Sequence, residues 1–272
     1  MLLNGNPESR ISILDRGVQY GDGLFETIAV AGGEPCLWQR HMQRLEQGCR
    51  RLKIDFPEDD NLLLEVYREI NGRSQGVIKI ILTRGSGGRG YAPPANQKST
   101  RLVYYSEWPE YPAGFSQSGV RVHLCDLRLG RNPALAGLKT LNRLEQVLAR
   151  GEWSDPDIAE GLLQDGEGNL IEGTMSNLFL IHNRNLSTPD LGFSGVAGVM
   201  RQVVMEQAGR LGIPLAVKML KMRDLLSANG LFLTNSLIGI WPVREVNAKK
   251  YDPEAVSPSL VDAVMCRGFR FE

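Results

Sequence analysis

The sequence predicts a mixed α/β fold in two unequal domains, and three observations carry that reading. Short apolar stretches rich in β-branched residues, such as 24–30 and 77–83, are interleaved with segments of helical spacing. The chain has 272 residues, long for one core and comfortable for two. A Pro- and Gly-containing stretch over 109–119 is the best linker candidate. The expected division is a smaller α+β domain over 1–115 and a larger domain over 120–272, with a ligand cleft between them.

The elements follow in chain order. Asn4-Gly5-Asn6-Pro7 is a turn signal, and Asp15 to Gly23 reads as a glycine-rich loop. It leads into a strand over 24–30, which Gly32-Gly33 closes as a hairpin. From 38 to 52 the pattern is helical, with Met42, Leu45, Cys49 and Leu52 on one face. A second helix is expected over 62–70 and a buried strand over 77–83. Arg84-Gly85-Ser86-Gly87-Gly88-Arg89-Gly90-Tyr91 is too rich in glycine to be regular, and 101–105 is a further strand. Past the linker, Val120, Val122 and Leu124 alternate with polar residues as in a half-buried strand. A helix is expected over 142–150. Strands over 161–164 and 169–171 flank the turn Asp165-Gly166-Glu167-Gly168, and 177–181 is another strand. Gly195 to Gly198 opens a helix on which Val204, Ala208 and Leu211 share a face. Strands over 215–220, 231–234 and 239–246 and helices over 222–228 and 259–266 complete the chain.

Charge and cysteine usage exclude several functions. Lys+Arg and Asp+Glu are both 31, so the formal net charge is zero, which argues against a nucleic-acid partner held through phosphates. No apolar run is long enough to span a bilayer, and Met1-Leu2-Leu3 is followed at once by polar turn residues rather than a signal sequence. The four cysteines form no Cys-x-x-Cys pair. His123 stands two residues before Cys125, but no further ligands gather around them in sequence, which argues against a metal site. A cytoplasmic enzyme with reduced thiols is the simplest expectation.

The residues that could carry chemistry centre on Lys139. It stands between the loop Leu129-Gly130-Arg131-Asn132-Pro133 and a helix start, where it could reach into a cleft as a Schiff-base lysine. A pyridoxal 5'-phosphate site needs such a lysine, an acid for the pyridine nitrogen and donors for a phosphate dianion. Glu172 lies between two short strands and could supply the acid. Gly198-Val199-Met200-Arg201 opens a helix whose free backbone N–H groups form a phosphate cup. Thr234-Asn235-Ser236 ends an apolar strand with a hydroxyl and further N–H groups, and Arg44, beside the buried face of its helix, could add a fixed positive charge. Taken singly, each has a plainer reading as a solvated charge, a turn residue or a helix entry. Their joint order carries the weight.

That order resembles the fold-type IV pyridoxal-phosphate enzymes, the group that holds branched-chain and D-amino-acid aminotransferases and aminodeoxychorismate lyases. The similarity runs through Asp15-Arg16, Gly21-Asp22-Gly23-Leu24-Phe25-Glu26-Thr27, His41-Met42-Gln43-Arg44-Leu45 and the glycine loop from Thr83 to Tyr91. It continues through Ala136-Gly137-Leu138-Lys139, Leu141-Asn142-Arg143-Leu144-Glu145-Gln146, Glu172-Gly173, Ser176-Asn177-Leu178-Phe179, Gly198-Val199-Met200-Arg201-Gln202 and Thr234-Asn235-Ser236. The glycine loop and the Leu141–Gln146 run are most similar to the lyases. The resemblance implies two domains with the cofactor in the cleft, Lys139 as the Schiff-base lysine and Glu172 as partner of the pyridine nitrogen. It implies Arg44, the Val199 and Met200 backbone, Asn235 and Ser236 at or around the phosphate, and a homodimer. Met200 and Leu144 depart from the aminotransferases, which carry Thr and Tyr there. The implied activity is conversion of 4-amino-4-deoxychorismate to 4-aminobenzoate and pyruvate in folate biosynthesis. Arg89 and Tyr91 are expected to bind a substrate carboxylate, with Arg84 and Arg131 as weaker candidates. The alternatives are an aminotransferase for D-amino or branched-chain acids and a non-catalytic small-anion-binding protein.

Overall fold

The computed structural model describes residues 1–57, 59–112 and 114–270, without the side chains of Asp59 and Asp60. The chain forms two compact units. The first comprises Met1–Pro109, the segment Leu138–Asn142 and a C-terminal stretch from Phe269, and the second comprises Glu110–Gly137 with Arg143–Gly268. This differs from the expected division in one respect that matters: Lys139, assigned by sequence to the later domain, groups with the first unit. The linker stretch itself carries a short helix over Gly114–Gln117, with Ala113 outside the described residues.

The first unit contains β1 (Leu2–Leu3), β2 (Asn6–Pro7), α1 (Arg16–Tyr20), β3 (Gly23–Ala31), β4 (Glu34–Pro35), α2 (Trp38–Leu52), α3 (Asp59–Ile70), β5 (Gln75–Thr83) and β6 (Thr100–Ser106). Its strands form an antiparallel sheet in the order β2-β1-β6-β5-β3-β4. The period-2 alternation of a strand sorts the side chains. Leu24, Ile28, Ile80, Leu82 and Val103 enter a core with Trp38, Met42 and Leu45 of α2 and Leu62 and Val66 of α3. The glycine-rich stretch after Asp15 is not wholly a loop. The Asp15 carboxylate accepts from the Gly17 N–H at 2.8 Å and caps the five-residue α1, which Gly21 ends in the left-handed region. Five residues are too few for helical periodicity to register.

The second unit contains α4 (Gly114–Gln117), β7 (Val120–Leu129), α5 (Leu144–Arg150), β8 (Ile158–Asp165), β9 (Asn169–Gly173), β10 (Asn177–His182), β11 (Asn185–Pro189) and α6 (Val199–Arg210). It continues with β12 (Leu215–Lys218), β13 (Leu220–Lys221), α7 (Met222–Ser227), β14 (Gly230–Asn235), β15 (Gly239–Val246), β16 (Lys249–Lys250) and α8 (Pro258–Gly268). Its mixed sheet runs β12-β11-β10-β14-β15-β7-β8-β9-β13, with β16 on β15. Val120, Leu162, Leu178, Leu231, Trp241 and Val243 fill one core, and the Phe179 and Phe232 rings stack with centroids 4.9 Å apart. The strand expected over 215–220 breaks at Met219: β12 pairs with β11 and β13 with β9. On α6, Val204 and Ala208 are buried as expected, but Leu211 lies past the last turn and is exposed.

Gly85 is required by two constraints at once. Its φ is +87°, and an added Cβ would lie 1.9 Å from the Lys98 carbonyl oxygen. Gly85→Ala should therefore lower stability by about 2 kcal/mol or more, read as a fall in urea midpoint with an unchanged slope.

Candidate active site

In the first unit, the segment around Lys139 extends the sheet. Leu24 bridges to Thr140, the Phe25 N–H donates to the Lys139 carbonyl at 3.0 Å, and the Leu141 N–H donates to the Gly23 carbonyl at 3.0 Å. Alternation then decides direction. Leu138 is buried in the helix-facing core, so Lys139 points to the opposite face. There its Nζ lies 4.4 Å from the Phe25 ring centroid, and Lys79 Nζ lies 4.0 Å from the same ring.

Glu26 lies on the helix-facing side, in a run where Leu24, Ile28 and Val30 are all buried. Its carboxylate takes Arg44 Nε at 2.8 Å and His41 Nδ1 at 2.6 Å, and Arg44 Nη2 closes a bidentate pair. Burial pushes the Glu26 carboxyl upward, but the Arg44 and His41 partners outweigh it and hold it at about 2. Burial keeps His41 below the usual histidine range, against the pull of Glu26. Arg44, expected beside the phosphate, thus has its fork fixed by Glu26. A guanidinium carries five N–H donors, so one carboxylate does not exhaust it. Sequence reasoning missed Glu26 and His41 as site residues. The signal was present: an acid on the apolar face of a strand, with His41 and Arg44 one helical turn apart.

In the second unit, Glu172 is buried on β9, opposite Leu163 of β8. The Val196 N–H donates to its Oε2 at 2.7 Å. The Arg143 guanidinium, lowered by burial, is supported by the Glu172 and Glu145 carboxylates. Gly195 takes φ +86° here, and an added Cβ would come 3.2 Å from Glu172 Oε2. The next residues open α6. Gly198 is its N-cap, and no side chain caps the helix. The first-turn N–H groups, Val199 and Met200 among them, have no intrahelical acceptor. A Cβ on Gly198 would meet Asn177 Oδ1 at 2.0 Å, so glycine keeps this entrance narrow, while Asn177 Nδ2 donates to the Val196 carbonyl at 2.9 Å.

Turn chemistry occupies part of the predicted phosphate set. The buried Thr234 hydroxyl donates to the Gly239 carbonyl at 2.6 Å. Asn235 accepts from the N–H groups of Leu237 and Ile238 and donates to the Met175 carbonyl, so its side chain shapes the turn that carries Ser236. Ser236 is half-buried. Beside it, Glu160 holds the 173–176 turn by accepting from the Thr174 and Met175 N–H groups and from the Thr174 and Ser176 hydroxyls. Sequence reasoning missed Glu160 as well.

The arginine candidates divide. Arg84 is buried, pairs bidentately with Asp22 and donates to the Leu52 and Lys53 carbonyls. Arg131 pairs with Asp165 and Glu167 and lies over the Phe193 ring at 4.2 Å. Both thus make structural contacts of their own. Arg16 anchors the glycine loop through the Gly90 and Tyr91 carbonyls. Arg89 on that loop is exposed, and the exposed Tyr91 sets its ring 5.3 Å from that of Tyr20. His123 and Cys125 are joined in space by Glu152, which their spacing did not reveal. Glu152 accepts from the Asp126 and Leu127 N–H groups and from His123, clamping the β7 irregularity, and burial pushes the Cys125 thiol up to about 12.

Residues 23–246 match the amino-transferase class IV family. The chain is a member of the class IV aminotransferase family. It is 37% identical over 247 residues to the aminodeoxychorismate lyase of Vibrio harveyi, covering 90% of this chain and 91% of that one. The crystal structure of 4-amino-4-deoxychorismate lyase from Pseudomonas aeruginosa superposes with a TM-score of 0.93 at 46% identity, covering 97% of this chain and 98% of that one. A D-alanine aminotransferase of Listeria monocytogenes is 25% identical over 246 residues, covering 88% and 83%. Pyridoxal 5'-phosphate is the cofactor of class IV aminotransferases. Within the second unit, a buried carboxylate braced by a backbone N–H and an uncapped entrance to a 12-residue helix have the chemistry to suit its pyridine nitrogen and its phosphate.

Two buried groups make this protein acid-sensitive in a defined window. Glu26 in the fold sits at about 2, below its ordinary 4.5, so its contribution is complete above 4.5 and is lost as pH falls toward 2. His41 is held below its ordinary 6.5, so the unfolded chain takes that proton first and stability already declines below 6.5. Melting temperature should fall through both intervals. Glu26→Gln should flatten the lower one, removing a pH-dependent contribution of roughly 3 kcal/mol.

Proposed function

We propose that the protein is an aminodeoxychorismate lyase that converts 4-amino-4-deoxychorismate to 4-aminobenzoate and pyruvate. The observation that carries this reading is the likeness to the Pseudomonas aeruginosa lyase structure along nearly the whole chain. When bound, pyridoxal 5'-phosphate supplies an electron sink for the carbon that carries the substrate nitrogen. Lys139 would hold the cofactor, and its amine, when neutral, would take the proton from that carbon. Glu172, whose Oε2 the Val196 N–H fixes, would keep the pyridine nitrogen protonated. The Val199 and Met200 N–H groups, the Ser236 hydroxyl and Arg44 take the phosphate, while Asn235 shapes the turn. Departure of the enolpyruvyl ether oxygen leaves an aromatic ring, so the protein has to orient the substrate and move one proton more than to drive the reaction. Arg89 and Tyr91 bind a substrate carboxylate from the glycine loop.

The same reading includes a homodimer. Leu144, Val147 and Leu148 lie exposed on one face of α5, and Ile13, Leu14 and Val18 are exposed near α1, which supports burial against a second copy. A cytoplasmic location is part of the reading and fits four cysteines that form no disulfide. Among the described residues, no helix is long and apolar enough to cross a membrane.

Incubation with enzymatically generated aminodeoxychorismate should release 4-aminobenzoate, read by fluorescence, and equimolar pyruvate. Conversion of the cofactor to its amine form by D-alanine or a branched-chain amino acid, with no 4-aminobenzoate, would mark an aminotransferase instead. Lys139→Ala should abolish turnover and covalent cofactor attachment. Arg89→Ala should raise KM about 10-fold or more with an unchanged bound-cofactor spectrum, and an unchanged KM removes Arg89 from the site.

A further inference from the structure

The glycine loop of the first unit is built around one buried arginine. Arg16, on α1, is only 3% exposed, and each nitrogen of its guanidinium has an acceptor. Nε donates to Asp22 Oδ2 at 2.8 Å, Nη1 to the Gly90 and Ala92 carbonyls at 2.9 Å and 3.4 Å, and Nη2 to the Tyr91 carbonyl at 3.0 Å. Asp22 is itself fixed by the Arg84 fork, whose Nε donates at 2.8 Å and Nη2 at 3.0 Å. The same stretch of chain holds the start of the loop. The Arg16 N–H donates to the Gly85 carbonyl at 2.9 Å, and the Gly87 N–H donates to the Leu14 carbonyl at 3.3 Å. A Cβ on Gly87 would lie 3.1 Å from Arg16 Cδ, so the stem packs against the loop backbone. Tyr20 adds a further contact. Its ring lies 4.9 Å from Arg16 Cζ and 5.3 Å from the Tyr91 ring, and its hydroxyl accepts from the Gly90 N–H at 3.3 Å. Arg89 therefore stands exposed between two anchored points, Gly85–Gly87 before it and Gly90–Ala92 after it.

We propose that Arg16 is a positioning residue for substrate binding, which fixes Arg89 and Tyr91 for the substrate carboxylate by holding the carbonyls of Gly90, Tyr91 and Ala92. The inference rests on the reading of Arg89 and Tyr91 as carboxylate ligands. A loop with glycine at 85, 87, 88 and 90 has little conformational preference of its own. Bonds to Arg16 order it on folding, so that entropy is not lost again when substrate binds. Only a planar fork can serve a carboxylate and three carbonyls in different directions; a lysine ammonium is a single point of charge. Arg16 need not touch substrate to do this.

The test uses the full-length, cofactor-loaded chain with Arg16→Met, Arg16→Lys, Arg89→Ala and the double variant Arg16→Lys/Arg89→Ala. Arg16→Lys keeps a cation beside Asp22 and decides the matter if Arg16→Met does not fold. Each Arg16 variant should raise KM for aminodeoxychorismate about 10-fold, with kcat and the bound-cofactor spectrum unchanged. Hydrogen exchange of the 86–92 backbone should quicken in the Arg16 variants but not in Arg89→Ala. The double variant should raise KM well short of the roughly 100-fold product of two independent effects, because both changes act on one contact. A merely structural role would not produce that coupling. An unchanged KM in Arg16→Lys, unchanged exchange of the loop, or a full product in the double variant overturns the proposal. When Arg89→Ala raises KM and Arg16→Lys does not, the inference alone fails. Unchanged KM in both Arg89→Ala and Tyr91→Phe rejects the carboxylate reading and the inference with it.

Discussion

The structure depends on two backbone hydrogen bonds, Phe25 N–H to the Lys139 carbonyl and Leu141 N–H to the Gly23 carbonyl. They make a five-residue segment behave as a strand. Once the segment is a strand, alternation leaves no choice: Leu138 joins the helix-side core and Lys139 faces the other way. A one-residue slip would bury the lysine amine among Trp38, Met42 and Leu45 and expose the leucine. Gly23 guards the register, because an added Cβ would sit 2.5 Å from the Leu82 carbonyl oxygen and 2.8 Å from Leu141 Cδ1. The position of the central amine is thus set by sheet geometry rather than by the loop that precedes it.

The two faces of the first sheet divide the work. The helix-facing side has a hydrophobic core into which Glu26 carries a charge, stabilised by Arg44 and His41. The other side carries Phe25 with its two lysines. Glu26 influences both faces, as a hydrogen-bonded anchor for Arg44 and as the counter-charge felt by Lys79. In the second unit the corresponding economy is in backbone donors. The 195–198 stretch gives the Val196 N–H to Glu172 and then opens α6 without a capping side chain.

Much of the fold was legible because its elements are amphipathic. The helix over Trp38–Leu52 follows from its 3.6 period, and the strands at Gly23–Ala31 and Gln75–Thr83 from their apolar, β-branched runs. The strand at Asn185–Pro189 was not legible, since Asn-Leu-Ser-Thr-Pro has the composition of a loop and becomes a strand only by pairing with β10 and β12. Lys139, Glu172 and the Val199 helix entrance could be read as chemistry because their residue types and local context suit a phosphate-bearing cofactor. What sequence could not assign was how polar side chains would be used. Arg84 and Asn235 look like ligands in a string of letters, yet one joins Asp22 to two carbonyls and the other builds a turn. Glu160 gains its role only from neighbours far along the chain.

The first unit is assembled from three pieces of chain: a long N-terminal stretch, Leu138–Asn142, and the C-terminal stretch in which the Arg270 carbonyl accepts the Leu37 N–H at 2.8 Å. During synthesis, its sheet therefore waits for residue 142 to clear the ribosome before the edge of β3 is covered, and for residue 270 before the entrance to α2 is closed. A nascent chain stalled before residue 142 has emerged would leave that edge open to other strands. The protein has in effect no early-folding N-terminal half, and its last residues complete what its first residues begin.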